Sequence, residues 1–267
     1  MWSVERSIVR VTTRSAPRGG VKSGRAMRGS KTRATLEASV GKQPSAEVLK
    51  MWRDAEAVAF DVDSTVCVDE GIDELGAFLG AGERVEAITK RAMEGGMDFS
   101  EALQLRLEAM AVTRDSLATF VSKHPPRYSN GIKELVDALR ANGKEVFLVS
   151  GGFRQMVHPV GAGLDIPMEN IHANTITFNE DGSLKGFDSN EFPSKSGGKA
   201  NAVKHIKATR GFKTMVMVGD GATDLEARVA GGADIVVGYG GAQRRAKVEA
   251  EADWFVTDLS ILAKALQ

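Results

Sequence analysis

Ala57-Val58-Ala59-Phe60-Asp61-Val62-Asp63-Ser64-Thr65 decides the fold. Four apolar residues followed at once by acids and hydroxyls describe a strand buried on both faces that ends in polar chemistry. Three further segments repeat the form. Residues 146–149 run into Ser150-Gly151-Gly152, residues 215–218 run into Gly219-Asp220-Gly221-Ala222-Thr223-Asp224, and residues 235–237 form a fourth apolar run. Helical stripes lie between them. Ile132, Leu135, Val136 and Leu139 recur at i, i+3, i+4 and i+7 before the stop signal Asn142-Gly143, and Ala202, Val203 and Ile206 follow Ser196-Gly197-Gly198. Buried strands alternating with helices predict an α/β fold, a parallel sheet flanked by helices.

Two segments interrupt the alternation. Between the first strand and Ile132 the chain is too long for one crossover helix and carries helically spaced apolar residues: Ile72, Leu75, Leu79, Met93, Leu103, Leu107 and Met110. A compact helical insertion is the economical expectation. Residues 171–187 alternate apolar and polar positions around Asn179-Glu180-Asp181-Gly182, which predicts a hairpin.

The chain has 267 residues, 42% hydrophobic and 26% charged, as ordinary globular proteins do. No apolar stretch approaches the roughly 18 residues that span a bilayer, so no membrane partner is expected. Cys67 is the only cysteine, which excludes an internal disulfide and a cysteine metal cage; it reads as a packing residue. His124, His158, His172 and His205 show no metal-ligand spacing. The net charge of zero hides a split: residues 1–36 hold seven Arg and two Lys against one acid, Glu5, a net +8, and the rest carries −8. Basic, rich in Ser and Thr and without a continuous apolar core, residues 1–36 read as an organelle transit peptide, disordered and outside the fold. The plain alternative is a basic tail that binds nucleic acid, for which the acidic remainder offers no surface.

The strand ends carry the chemistry, because ligands of open α/β sheets gather there. Strand alternation points Asp61 and Asp63 to one side, and adjacent carboxylates push their proton affinities apart. One then serves as anionic nucleophile or metal ligand while the other holds a proton. Ser150-Gly151-Gly152 supplies a hydroxyl and open backbone N–H groups for phosphate oxygens. Lys199 follows two glycines at a helix start, where dipole and ammonium both attract an anion. It is no Walker A lysine, since Ala200 stands where the hydroxyl belongs. Each piece alone is commonplace: a D-x-D pair is usually a solvated turn and a helical lysine usually surface. Their order along one predicted sheet is what carries weight, and hard carboxylate oxygens without His or Cys favour Mg2+ over zinc.

Phe60-Asp61-Val62-Asp63-Ser64-Thr65, Ser150-Gly151-Gly152-Phe153, Lys199 and Gly219-Asp220-Gly221-Ala222-Thr223-Asp224 together resemble the haloacid dehalogenase superfamily, and within it the phosphoserine phosphatases. The likeness extends from about Trp52 to Leu259 and includes Glu70-Gly71-Ile72-Asp73-Glu74-Leu75, Arg91-Ala92-Met93 and Ser196-Gly197-Gly198-Lys199. The resemblance implies a Rossmann-like core over 37–74 and 128–267, with a small helical cap over 75–127. It implies Mg2+-dependent hydrolysis of phosphoserine, the last step of serine biosynthesis, through an aspartyl-phosphate. Asp61 would be the nucleophile and Asp63 the general acid and base. Asp61, the Asp63 backbone carbonyl and Asp220 would hold the metal, with Asp224 supporting them. Ser150, Gly151 and Lys199 would bind phosphate. Glu70 would meet the substrate's ammonium and Arg106 its carboxylate, with Met93, Phe99 and Thr223 completing the pocket.

Alternatives stay open at this point. Glu70 reads equally as a helix N-terminal charge and Arg106 as half of a surface ion pair. Glu94 and Met97, beside Met93, are larger than is usual there and leave the pocket's size open. A phosphatase or phosphotransferase for another small phosphomonoester is the nearest rival, and a non-catalytic phosphoserine sensor a remoter one. A plastid location is expected, with the mitochondrion as alternative, and a homodimer is compatible with the resemblance.

Overall fold

A computed structural model describes residues 41–267, Glu94 and the Met93 side chain excepted. The transit peptide expected over 1–36 lies outside the described residues. Strand β1 (Ala57–Phe60) is buried throughout and takes a parallel partner on each side. Phe60 sits opposite Leu148 of β2 (Glu145–Phe153) and opposite Val218 of β6 (Met215–Gly219). With β3 (Ile171–Asn174) beyond β2, and β7 (Ile235–Tyr239) and β8 (Trp254–Val256) beyond β6, the order is β3-β2-β1-β6-β7-β8, parallel throughout. The chain winds outward from β1 to β3, then crosses back and winds outward on the other side. The carboxyl end of β1 is therefore the switch point at which such a sheet opens a crevice.

Alternation along each strand sorts the core into two faces. Val58, Phe60, Leu148 and Val218 face helix α6 (Ile132–Ala141), whose Ile132, Leu135, Val136 and Leu139 form the expected stripe. Ala57, Ala59, Phe147 and Met217 face α8 (Gly198–Arg210) through Ala202, Val203 and Ile206. Trp52, in α1 (Ala46–Asp54), is fully buried on the first face. Its Nε1 donates to the Leu262 carbonyl at 3.1 Å, and its ring meets Trp254 edge-on at 6.1 Å. Trp52→Ala is expected to lower the unfolding free energy by about 3–5 kcal/mol, read from urea denaturation.

Two strand expectations differ from the structure, and one strand is new. Ile171–Asn174 is an edge strand of the main sheet, and only β4 (Ile176–Phe178) and β5 (Leu184–Phe187) make the hairpin. His172 and Asn174 had masked it, since they break the apolar run. Strand β8 is only three residues long and offers no pattern to read. Strand β2 does not stop at Val149 but continues through Ser150 to Phe153, with a register shift against β3 on the way.

Between β1 and α6 the chain forms α2 (Gly71–Phe78), α3 (Gly82–Met93), α4 (Phe99–Met110) and α5 (Arg114–Lys123). Asp98 caps α4 through the Ser100 N–H, and Thr113 and Ser116 cap α5 reciprocally. Leu75, Val85, Leu103, Leu107, Leu117 and Phe120 build an apolar cluster separate from both sheet faces, completed by Phe153 and by Ile176 of the hairpin. On one side the insertion joins the sheet through paired chain segments, with Val68 N–H on Arg127 O and Ser129 N–H on Val66 O, each 2.9 Å. On the other, Arg114 donates to the hairpin turn at Gly182 O (2.9 Å) and Asn179 O (3.0 Å).

Candidate active site

Directly after β1 the chain winds into a tight turn at residues 62–66, closed by Cys67 N–H on Val62 O at 2.9 Å. Asp61 precedes the turn and Asp63 lies within it, both with extended backbone. Asp61 Oδ1 accepts from the Val62 N–H at 2.7 Å, and its Oδ2 lies 2.8 Å from Lys199 Nζ. Asp63 Oδ1 accepts from the Gly71 N–H at 2.8 Å, which ties the acid to the start of α2. Burial pushes the Asp63 carboxyl above its usual range, while the Gly71 hydrogen bond and Lys199 oppose the shift. A raised carboxyl beside a candidate nucleophile suits a group that must hold and release a proton.

Lys199 reaches Asp61 because α8 starts where only glycines fit. Gly197 adopts φ +70°, and a Cβ on Gly198 would lie 2.2 Å from the Phe192 carbonyl oxygen. The Lys199 ammonium is 2.8 Å from both Asp61 Oδ2 and Asp224 Oδ1. Burial works against its charge, but Asp224 and Asp61 outweigh burial and raise its proton affinity. Asp224, in the short helix α9 (Ala222–Leu225), also accepts from the Gly221 N–H at 2.9 Å. Its carboxylate packs on Gly219, where a Cβ would lie 2.2 Å from its Cγ. Asp220 accepts from Thr65 Oγ1 at 3.3 Å and from Arg245 Nε at 2.8 Å.

Asp61, Asp220 and Asp224 are all buried and each offers an oxygen within 4.8 Å of the others. With Asp63 they make four carboxylates against two cations, Lys199 and Arg245. An all-oxygen donor set with surplus negative charge fits a hard divalent cation. Both oxygens of each of the three already have a protein partner, Asp224 through Lys199 and the Gly221 N–H.

Ser150 is fully buried and its Oγ accepts from the Gly152 N–H at 2.9 Å. The ring of Phe99, first residue of α4, stands 3.5 Å from where a Gly151 Cβ would be. Glu70, the residue before α2, makes no side-chain cap bond and accepts from Ser64 Oγ at 2.8 Å. Burial and Asp63 push its carboxyl up to about 7 against the Ser64 bond. Among the described residues Arg106 forms no salt bridge within 4 Å. Its Nε donates to the Ala102 carbonyl at 3.1 Å, and Asp73, Asp63 and Glu70 sustain a charge that burial disfavours. Thr223 is exposed on α9, and Met93 ends α3. Cys67 is buried, and burial pushes its thiol up to about 12, which makes it inert.

Arg245 and Gln243 were missed. They lie after β7, beyond Gly240-Gly241, at a strand end of the kind where ligands of such sheets gather. Asn174 was missed as well: its Nδ2 donates to Gly151 O at 2.7 Å and pins the phosphate-binding candidate. A cavity of about 400 Å3 reaches Asp63 and lies between α5 and α7 (Arg154–Ala162), walled by Phe120, Phe153, Met156 and Val157.

Residues 55–232 match the haloacid dehalogenase-like hydrolases. The chain is 54% identical over 223 residues to the chloroplastic phosphoserine phosphatase of Arabidopsis thaliana, covering 84% of this chain and 76% of that one. A solved structure of DsGPDH of Dunaliella salina aligns at 34% identity and TM-score 0.74, covering 85% of this chain and 38% of that one. Another, a phospho-aspartyl intermediate analogue of phosphoserine phosphatase, aligns at 26% identity and TM-score 0.67, covering 80% and 99%. By this likeness the chain belongs to the haloacid dehalogenase-like hydrolases, in the phosphoserine phosphatase family.

Proposed function

We propose that the chain hydrolyses O-phospho-L-serine to L-serine and phosphate with Mg2+, through an aspartyl-phosphate on Asp61. The observation that carries the reaction is the buried Asp61 carboxylate, 2.8 Å from the Lys199 ammonium and in company with Asp220 and Asp224. Asp61 attacks phosphorus as the bond to the seryl oxygen breaks, and Asp63 gives that oxygen its proton. Asp63 then takes a proton from the water that attacks phosphorus, and release of phosphate restores the Asp61 carboxylate. The Gly71 N–H holds Asp63 Oδ1, which leaves Oδ2 for the proton. Ser150, the Gly151 backbone and Lys199 receive the phosphoryl oxygens. Asp61, the Asp63 carbonyl and Asp220 hold Mg2+, supported by Asp224; the ion supplies charge neutralisation at the phosphoryl group.

Glu70 reads the ammonium and Arg106 the carboxylate of the substrate, within walls formed by Phe99, Met93 and Thr223. Residues 75–127 act as a cap over the core of 37–74 and 128–267, which excludes water during the reaction. A plastid location is supported by the chloroplastic relative and by the basic, hydroxyl-rich residues 1–36.

Phosphate release across phosphoserine, phosphothreonine, phosphohomoserine and a sugar phosphate tests the assignment. Phosphoserine is expected to be preferred, EDTA to abolish turnover, and Mg2+ but not Ca2+ to restore it, since Ca2+ takes longer, less regular oxygen coordination. Preference for the sugar phosphate would overturn the substrate, and turnover indifferent to EDTA would overturn the metal.

A further inference from the structure

The two oxygens of Glu70 are treated unequally. Ser64 Oγ donates to Oε1 at 2.8 Å, and Gln243 Nε2 and Arg245 Nη2 each approach the same oxygen at 3.4 Å. No hydrogen bond to Oε2 is made among the described residues. Ser64 is fully buried and sits at φ +53°, ψ 9°, a left-handed conformation that side chains other than those of Gly, Asn and Asp seldom adopt. Glycine would take that backbone without strain. The Ser64 N–H is already held by Asp69 O at 3.1 Å, so what serine adds over glycine is the hydroxyl, and its partner is Glu70.

We propose that Ser64 is a positioning residue for substrate selection: its hydroxyl fixes Oε1 of Glu70 so that Oε2 alone faces the substrate's ammonium. The inference rests on the phosphoserine assignment above. It also places recognition in the catalytic turn itself, because Asp63 and Thr65, the latter bonded to Asp220, flank Ser64. A carboxylate left to rotate would meet the ammonium in several orientations, and fixing one oxygen removes that freedom before the substrate arrives.

The test compares Ser64→Gly, Glu70→Gln and the double variant on phosphoserine and on 3-phosphonooxypropanoate, which keeps phosphate and carboxylate and has hydrogen in place of the ammonium. Ser64→Gly is expected to melt no lower than wild type, since glycine relieves the left-handed backbone. Its discrimination between the two substrates should fall about tenfold, mainly through KM for phosphoserine, as loss of a hydrogen bond to a charged group implies. In the Glu70→Gln background the same change should alter discrimination by less than about twofold, because coupled residues do not add. Equal losses on both substrates, or additive losses in the double variant, would show a structural role only and overturn the inference. A wild-type enzyme indifferent to the ammonium would overturn the substrate assignment, and the inference with it.

Discussion

Asp61→Asn is expected to reduce phosphate release by at least about 10^4-fold while leaving the chain folded. An amide of the same shape carries no anionic oxygen to attack phosphorus, so the covalent route closes. Its oxygen still accepts from the Val62 N–H, and Lys199 keeps Asp224 at 2.8 Å, so no buried charge is orphaned. Burial holds the Asp61 carboxyl well above its usual range, with Asp224, Asp220 and Asp63 adding to the shift and Lys199 opposing it. Removing that carboxylate relieves like-charge crowding, and the variant should resist urea at least as well as wild type. Two measurements decide: steady-state phosphate release, and acid-quenched enzyme assayed for a hydroxylamine-labile phosphate. Wild type should carry the label and the variant none. Turnover that persists in Asp61→Asn would refute the covalent mechanism.

What the sequence reveals here tracks how local the determining physics is. Strand β1 is legible because Ala57–Phe60 is buried on both faces and so needs no alternation, and α6 because one stripe meets one sheet face. Strand β3 is not, because His172 and Asn174 belong to an edge whose pairing with β2 is a tertiary fact. In the site, Asp61, Asp63, Lys199, Asp220 and Asp224 announce themselves by lying next to strand ends or glycines. Arg245 does not: its contact with Asp220 spans 25 residues and depends on how the loop after β7 folds back over the switch point. Ser64 illustrates a third kind of limit. Its identity is plain in the D-x-D-S-T run, but its left-handed backbone, and hence the direction of its hydroxyl, arises only from the winding of the turn.

Lys199→Met should carry the largest combined loss, of activity and of stability together. The residue is 9% exposed and its ammonium is, among the described residues, the one cation bonded to both Asp61 and Asp224, so methionine fills the volume and orphans two buried carboxylates. Breaking a buried pair from one side costs about 3–5 kcal/mol, measurable as a lower urea midpoint at neutral pH. The pH dependence has a definite sign. In wild type the lysine's proton affinity is raised in the fold, so its contribution is complete below the ordinary lysine pKa of about 10.4 and is lost only above it. In the variant the deficit belongs to Asp61 and Asp224, whose folded-state proton affinities are already raised by burial and rise further without the ammonium. Such groups stabilise when protonated and destabilise once ionised, so the deficit should be small near pH 4 and grow toward pH 7. Activity should fall by about 10^2-fold or more, since a preorganised cation at the phosphoryl oxygens is lost. Saturating Mg2+ should then recover more stability in Lys199→Met than it adds to wild type, because a dication bound only by the folded chain takes over the charge balance. A deficit unchanged between pH 4 and 7, or the same Mg2+ increment in both proteins, would contradict a buried ammonium that balances Asp61 and Asp224.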